Sequence, residues 1–161
     1  MVELPQPPIP ALQLIARVRV TLGEPLELGR TLGPTQPRRR IIPISGGELS
    51  GPLLSGRVLP GGADWQLVYD DGMAVIDTRY TLQADDGALI SIATSGVRDG
   101  PPEVLARLAR GEPVDPAKYC FRVTIRYETS APAHAWLNRV VAVAGAVRLA
   151  DEVVYDAYAL R

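Results

Sequence analysis

Apolar and polar residues alternate with a period of two along most of the chain. One early run places its apolar residues on a single face: Leu12, Leu14, Ala16, Val18, Val20 and Leu22. A later run is cleaner, with mostly polar residues between its apolar positions: Tyr119, Phe121, Val123, Ile125 and Tyr127. Successive side chains of a β-strand point to opposite faces, so this period predicts half-buried strands.

Turn signals separate the predicted strands. The triplets Asp70-Asp71-Gly72 and Asp85-Asp86-Gly87 each lie between apolar runs, and Asp-Gly favours hairpin turns because glycine adopts a positive φ easily. The stretch SGGELSGPLLSGRVLPGGADWQ, residues 45–66, resembles a phosphate-binding loop but lacks the lysine, the hydroxyl and the following helix. Its glycines instead predict bulges and bends that let short strands curl into a barrel.

The remaining segments complete an all-β pattern. Residues 101–110, PPEVLARLAR, predict one helix, which Gly111 ends, and RVVAVAGAVRLA and EVVYDAYAL predict two closing strands. We predict a single antiparallel, up-and-down, lipocalin-like (calycin-like) β-barrel of about nine strands with one short helix. The predicted domain spans residues 1–161, and residues 1–10, with four prolines, form an extended arm.

Composition narrows the classes of function. A formal net charge of -1 provides no general attraction for nucleic acid or an anionic membrane surface. No apolar run reaches the roughly 20 residues that span a bilayer, and the N-terminus does not resemble a signal peptide, so we expect a cytoplasmic protein.

Lys118 is the only lysine among 17 basic residues, which is typical of a GC-rich bacterial genome. With one cysteine, Cys120, and one histidine, His134, neither an internal disulfide nor a Cys/His zinc site is expected, and the roles of both residues stay open.

Polar residues within otherwise apolar strands are the candidates for chemistry. Asp77 and Arg79 are two apart in MAVIDTRYTLQ and therefore share a face. They either form an ion pair on the barrel exterior or line a cavity, where the arginine would keep the aspartate ionised or bind an anionic substrate. Trp65, Tyr80 and Trp136 are aromatic residues that serve equally well as core or as walls of a ligand pocket.

Several stretches in their order resemble one bacterial and fungal family. They are RRRIIPISGGELSGPLLSGRVLPGGADWQL, TRYTLQADDGALI, GPPEVLARLARGEPVDPAKYCFR and ETSAPAHAWLNR. The family is catalogued as domain-of-unknown-function family 3237, or uncharacterised protein family 0311, and the similarity runs from about Leu14 to the C-terminus. It implies a compact lipocalin-like barrel with an open cavity, and it names no activity. Its recurring polar positions match these residues: Asp64, Trp65, Tyr80, Asp86, Glu128, Trp136 and Asn138. Against the family's commoner pattern, Asp99 stands where a histidine is usual and His134 replaces an aromatic residue.

Three hypotheses of function follow. The first is a cofactor-independent lyase, isomerase or cyclase that acts on a small aromatic or carbonyl-bearing metabolite by carboxylate acid–base chemistry. Its predicted catalytic residues are Asp64, Asp77 and Glu128. Its predicted substrate-binding residues are Trp65, Arg79, Tyr80, Trp136 and Asn138. No metal or cofactor is expected.

The second hypothesis is a non-catalytic carrier or sensor of a small molecule, and the third is a structural protein whose closing strands pack in a homodimer or higher homo-oligomer. The expected partner is a small-molecule ligand, with no nucleic acid and no membrane.

Overall fold

The structure, a computed structural model, describes residues 4–161, so the first three residues of the predicted arm lie outside it. Ten strands are present: β1 (Leu12–Leu22), β2 (Leu26–Gly29), β3 (Arg38–Ser50), β4 (Gly56–Val58), β5 (Gly62–Val68), β6 (Ala74–Ala84), β7 (Leu89–Asp99), β8 (Cys120–Glu128), β9 (Ala142–Arg148) and β10 (Glu152–Leu160). One α-helix, α1, covers Pro102–Ala109, and two short 3₁₀ segments cover Pro116–Lys118 and Pro132–Arg139. Residues 4–11 form neither helix nor strand and are exposed.

The strands close into an antiparallel barrel. Neighbours in sequence pair from β6 to β10, β10 pairs with β1, and β1 pairs with β3, so the ring closes. Between β3 and β6 lie two short strands: β4 pairs with the second half of β3 and β5 with the first half. They act as one strand broken at residues 59–61, where Leu59-Pro60-Gly61 interrupts the pairing. The short β2 is attached to β3 outside the ring. The predicted all-β, up-and-down antiparallel barrel with one short helix is therefore confirmed.

Inner and outer faces alternate in β6 as the sequence pattern predicts, but bulges interrupt the alternation in β1 and β3. Ile76, Tyr80 and Leu82 on β6 are buried, whereas Asp77 and Arg79 are exposed. In β1 the pairing register with β10 shifts between Leu14 and Ala16, so a bulge buries both Ile15 and Ala16. A bulge inserts one residue into the alternation, and Leu12 and Leu14 therefore lie outside the core, 62% and 37% exposed. The prediction that these two leucines share the buried face was wrong for this reason.

Glycines allow β3 and its neighbours to bend. The pairing of β1 with β3 slips at Thr21 and Leu22, opposite Gly46, whose φ of 150° is rarely adopted by other residues. The sequence prediction of a bulge in this stretch is confirmed. Gly62, at the start of β5, has a different role, because a Cβ there would lie 2.4 Å from the carbonyl oxygen of Arg79. Only glycine lets β5 pass this close to β6.

Replacing Gly62 by alanine is expected to lower the free energy of unfolding by about 1–3 kcal/mol, because the added methyl group overpacks the β5–β6 contact. Gly145→Ala is the matched control. That glycine is also in a strand, and a Cβ there would meet only the Arg122 guanidinium at 3.5 Å, an ordinary contact distance. Urea denaturation of both variants tests this prediction. Equal stability of the two variants would contradict it.

The two ends of the barrel are covered differently. α1 begins after Pro101, and Val104, Leu105 and Leu108 form its buried face. It crosses the end where β7 finishes and β8 begins, with Leu105 against the β5–β6 turn at Gly72. The 3₁₀ segment Pro132–Arg139 covers the other end, where Leu137 is fully buried. No helix within residues 4–161 is long and apolar enough to cross a membrane.

Candidate functional site

The barrel encloses a cavity at the end covered by α1. Its volume is about 50 Å³, several times what one water molecule needs. The apolar lining residues are Val20, Leu22, Ile42, Ile44, Ile76, Phe121, Val123, Ala146 and Val153. The polar lining residues are Asp64, Gln66, Thr78, Tyr80, Thr94, Arg98, Arg148 and Tyr155. Six of the eight polar residues come from the adjacent strands β5, β6 and β7, which form the more polar side of the cavity.

Asp64 is the one carboxylate in the lining of this cavity. It lies on the inner face of β5, and two hydrogen bonds hold its side chain: Oδ2 accepts from Gln66 Nε2 at 2.6 Å, and Oδ1 accepts from the backbone N–H of Asp77 at 3.1 Å. Burial raises the pKa of the Asp64 carboxyl, and these hydrogen bonds oppose that shift. The result is an oriented acid whose pKa lies above that of an exposed aspartate.

Two arginines line the cavity, Arg98 and Arg148, and a third, Arg40, is linked to it through Gln66. Arg98, on β7, is 5% exposed, and its guanidinium lies over the Phe121 ring at 5.9 Å from the centroid. Arg40 donates from Nη2 to Gln66 Oε1 at 2.8 Å, so Gln66 links this arginine to Asp64. Arg148 donates from Nη1 to the carbonyl oxygen of Glu152 at 3.2 Å.

The electrostatics of the arginines reflect their crowding. Burial lowers the pKa of Arg98 to about 10, and the positive charges of Arg40 and Arg148 act in the same direction. Burial and Arg40 also lower the pKa of Arg148. Asp64 opposes both shifts, but its single charge does not balance them. Arg98 still carries its charge at neutral pH.

Two pairs of hydroxyl groups lie deeper in the barrel. The hydroxyls of Thr78 and Thr94 are hydrogen-bonded to each other, and so are those of Tyr80 and Tyr155. Burial raises the pKa of both tyrosines, which therefore stay neutral. Two phenols carry two protons and only one can lie between the oxygens. No other partner for either hydroxyl is found within residues 4–161, so one proton is free to be donated to a ligand.

The cavity brings together two of the residues singled out from the sequence, Asp64 and Tyr80. Asp77 and Arg79 lie on the outer face of β6, and no ion pair joins them in the described part of the chain. Glu128 is exposed on β8 and pairs with Arg126 at 3.2 Å.

The remaining sequence candidates lie away from the cavity lining. Trp65 points outward from β5 and is 36% exposed. Trp136 and Asn138 belong to the 3₁₀ segment at the opposite end of the barrel. Asn138 bonds the backbone of Thr129 through both ends of its amide, at 2.9 and 2.8 Å, which pins that loop.

His134 and Cys120 also lie outside the cavity. His134 Nε2 is 2.8 Å from Asp86 Oδ2, in a contact that joins the 3₁₀ segment to the β6–β7 turn. Cys120 is exposed at the start of β8. Within residues 4–161 no group of three or more His, Cys, Asp and Glu side chains is arranged to hold a metal ion.

Sequence reasoning missed the arginines, although a signal was present. Ile90, Ile92, Thr94 and Arg98 have the same parity in β7, which places Arg98 on the buried face. Arg148 likewise follows the parity of Ala142, Ala144 and Ala146 in β9. The arginines fall at strand ends, where a charged residue ordinarily reaches solvent. Parity alone therefore did not distinguish these buried arginines from ordinary exposed ones.

The fold and the site define a closed antiparallel β-barrel with an internal, partly polar cavity at one end. The chain belongs to the family described as Protein of unknown function (DUF3237), whose model matches residues 10–160. This confirms the resemblance found in the sequence.

Relatives and solved structures support the same family and fold. The chain is 45% identical over 120 residues to a UPF0311 protein of Rhodopseudomonas palustris, covering 74% of this chain and 78% of that protein. The crystal structure of a β-barrel-like protein from Acinetobacter baumannii AYE superposes with a TM-score of 0.85 at 49% identity, covering 97% of this chain and 99% of that one. An enzyme from Penicillium herquei has a TM-score of 0.70 at 21% identity, with 98% of each chain covered, and shows the fold alone.

Proposed function

We propose that this protein is a cofactor-independent enzyme that transfers a proton in a small carbonyl-bearing metabolite, within the lyase, isomerase and cyclase classes. The observation that carries the proposal is Asp64, a buried and oriented carboxylate that faces an enclosed cavity. Its pKa is raised by burial, as is useful for an acid or base that works near neutral pH.

Asp64 and the tyrosine pair supply the two groups that such a reaction needs. The Asp64 carboxylate accepts a proton from a carbon next to the substrate carbonyl. The electron pair of that C–H bond forms a C=C bond, and the carbonyl oxygen becomes an enolate. The free phenol proton of Tyr80 or Tyr155 hydrogen-bonds to that oxygen and stabilises its charge.

Protonated Asp64 then returns its proton, and the position at which the proton arrives decides the product. Delivery to a new carbon gives an isomer. When the enolate expels a leaving group from the neighbouring carbon, that group takes the Asp64 proton and a lyase product forms. When the enolate carbon attacks an internal carbonyl, the new C–C bond closes a ring and the oxygen of that carbonyl takes the proton. The apolar walls on β1, β3 and β8 keep water from competing for the enolate.

Hydrogen–deuterium exchange tests the proposal even though the natural substrate is not identified. Short-chain ketones, oxo acids and phenyl-substituted ketones are incubated with the protein in D₂O, and NMR follows loss of the proton next to the carbonyl. We expect the protein to accelerate exchange in at least one compound. If compounds bind but none exchanges or changes mass, the protein is a carrier and the enzymatic proposal fails.

A further inference from the structure

Arg98 is the most unusual residue of the cavity. It is 5% exposed, it lines the cavity, and its buried Nε has no hydrogen-bond partner within the described residues. Its other guanidinium nitrogens likewise take part in no hydrogen bond of the described chain, and the guanidinium lies over the Phe121 ring, 5.9 Å from the centroid. A buried charge without a partner is costly, and strand residues of ordinary structural use do not carry one.

The charges around the cavity do not balance. Three guanidinium groups, those of Arg40, Arg98 and Arg148, influence one another, and Asp64 is the single carboxylate in the cavity lining. Glu27 lies 3.7 Å from Arg40 on the exposed side, and Asp151 acts on Arg148 from the β9–β10 turn. Neither acid compensates Arg98. Asp64 acts on Arg98 through its charge, but within residues 4–161 no carboxylate forms an ion pair with this guanidinium.

We infer that the substrate of this cavity is a small organic carboxylate with an apolar body, bound by the Arg98 guanidinium with Arg148 beside it. A guanidinium matches a carboxylate through two parallel N–H···O bonds, which would satisfy the orphaned Arg98 donors. The inference deepens the proposed function and rests on it, because it names the class of substrate on which Asp64 acts.

The order of residues along the strands supports a ligand whose carboxylate lies on Arg98 and whose carbonyl lies near the tyrosines. Arg98 and Arg148 lie where β7 and β9 end, whereas Tyr80 and Tyr155 lie further into the barrel along β6 and β10. Asp64 on β5 pairs in register with Thr78, two residues before Tyr80. A ligand with its carboxylate on Arg98 would extend its carbonyl toward the tyrosines and pass Asp64.

The test compares matched charged and neutral probes. Short-chain oxo acids such as 2-oxobutyrate, their primary amides, and inorganic phosphate are titrated against the full chain, with binding followed by NMR shift changes of cavity residues. We expect at least one oxo acid to bind roughly tenfold or more tightly than its own amide. Equal binding of acid and amide, binding of no acid, or equally tight binding of phosphate would overturn the inference.

Arginine variants locate the binding group. In Arg98→Met the preference for the acid over the amide should disappear, and Arg98→Lys should retain part of it because the charge remains. Arg148→Met should reduce the preference by a smaller factor. Arg126→Met, an exposed arginine on the outer face of β8, is the matched control and should bind as the unchanged protein does. Retention of the full preference in folded Arg98→Met would overturn the inference.

The inference and the proposed function fail in different ways. If oxo acids and their amides exchange equally well with Asp64 dependence, and Arg98→Met exchanges both at the unchanged rate, the carboxylate inference falls and the enzymatic proposal stands. If oxo acids bind through Arg98 but no compound exchanges, the carboxylate site stands and the enzymatic proposal falls.

Discussion

Replacing Asp64 by asparagine is expected to slow proton exchange in the best compound by about 10²–10⁴-fold, which is the typical contribution of a positioned acid–base group. Asparagine keeps the size of the side chain and can still accept the hydrogen bond from the Asp77 backbone, but it cannot take a proton. Binding of the compound should change far less than its exchange rate. Exchange kinetics by NMR and binding by titration measure the two effects separately.

The matched controls for Asp64 are Asp77→Asn and Glu128→Gln. Both are carboxylates singled out in the sequence, and both are exposed on the outer face of the barrel. We expect both variants to exchange at the unchanged rate. A rate loss in either control equal to that of Asp64→Asn would contradict the assignment of the proton transfer to Asp64.

The pH dependence provides a second check on Asp64. If the carboxylate is the base, the exchange rate should rise with pH through the pKa of Asp64, which burial places above the value of about 3.9 of an exposed aspartate. Because the folded state favours the protonated form, the unchanged protein loses stability as pH rises through that pKa. Asp64→Asn has no titrating group at this position, so its free energy of unfolding should not fall over this pH range. Its urea denaturation curve at neutral pH shows whether lost activity comes from unfolding.

Replacing Arg98 by methionine is expected to raise the free energy of unfolding by about 1–4 kcal/mol at neutral pH, while binding of oxo acids is lost. Apolar residues that replace buried charged groups are often neutral or stabilising by this amount. Methionine fills most of the same volume among Ile76, Phe121 and Val123, and it removes an unpaired charge. The lost contact with the Phe121 ring, about 2 kcal/mol for a pair shielded from water, offsets only part of the gain from removing the unpaired charge.

Urea denaturation in a buffer without carboxylate or phosphate measures this effect on stability. Arg126→Met is again the control and should stay within about 0.5 kcal/mol of the unchanged protein, as exposed substitutions do. Addition of a bound oxo acid should stabilise the unchanged protein and leave Arg98→Met unaffected. An Arg98→Met variant that is clearly less stable than the unchanged protein would mean that this arginine has a structural partner.

If Arg98→Met is more stable than the unchanged protein, the natural chain retains Arg98 although this residue lowers its free energy of unfolding. Natural proteins tolerate such costs at functional sites, where binding requires a charged group held away from water. The position of Arg98 beside Asp64 also has a chemical consequence. A positive charge nearby keeps the buried carboxylate able to ionise, so the same group that binds an anion supports the base.

Much of the fold could be predicted from local sequence because the signals are local. Period-two alternation in β6 and β8 arises from the pleat of a strand, and the helix predicted at residues 101–110 was found at Pro102–Ala109. The bulge in β1 could not be predicted in this way. Its register depends on how β1 pairs with β10, more than a hundred residues later, and it reversed the face of Leu12 and Leu14.

Alternation and turn chemistry act between near neighbours in the chain, so they were enough to predict most strands and turns and two residues of the cavity. The rest of the site depends on contacts between distant parts of the chain. Asp64, Arg98 and Arg148 lie on three strands that are far apart in sequence, and closure of the barrel turns their inner faces toward one volume. The same closure buries Arg98 near the end of β7, with its guanidinium over the Phe121 ring and its Nε without a partner among the described residues.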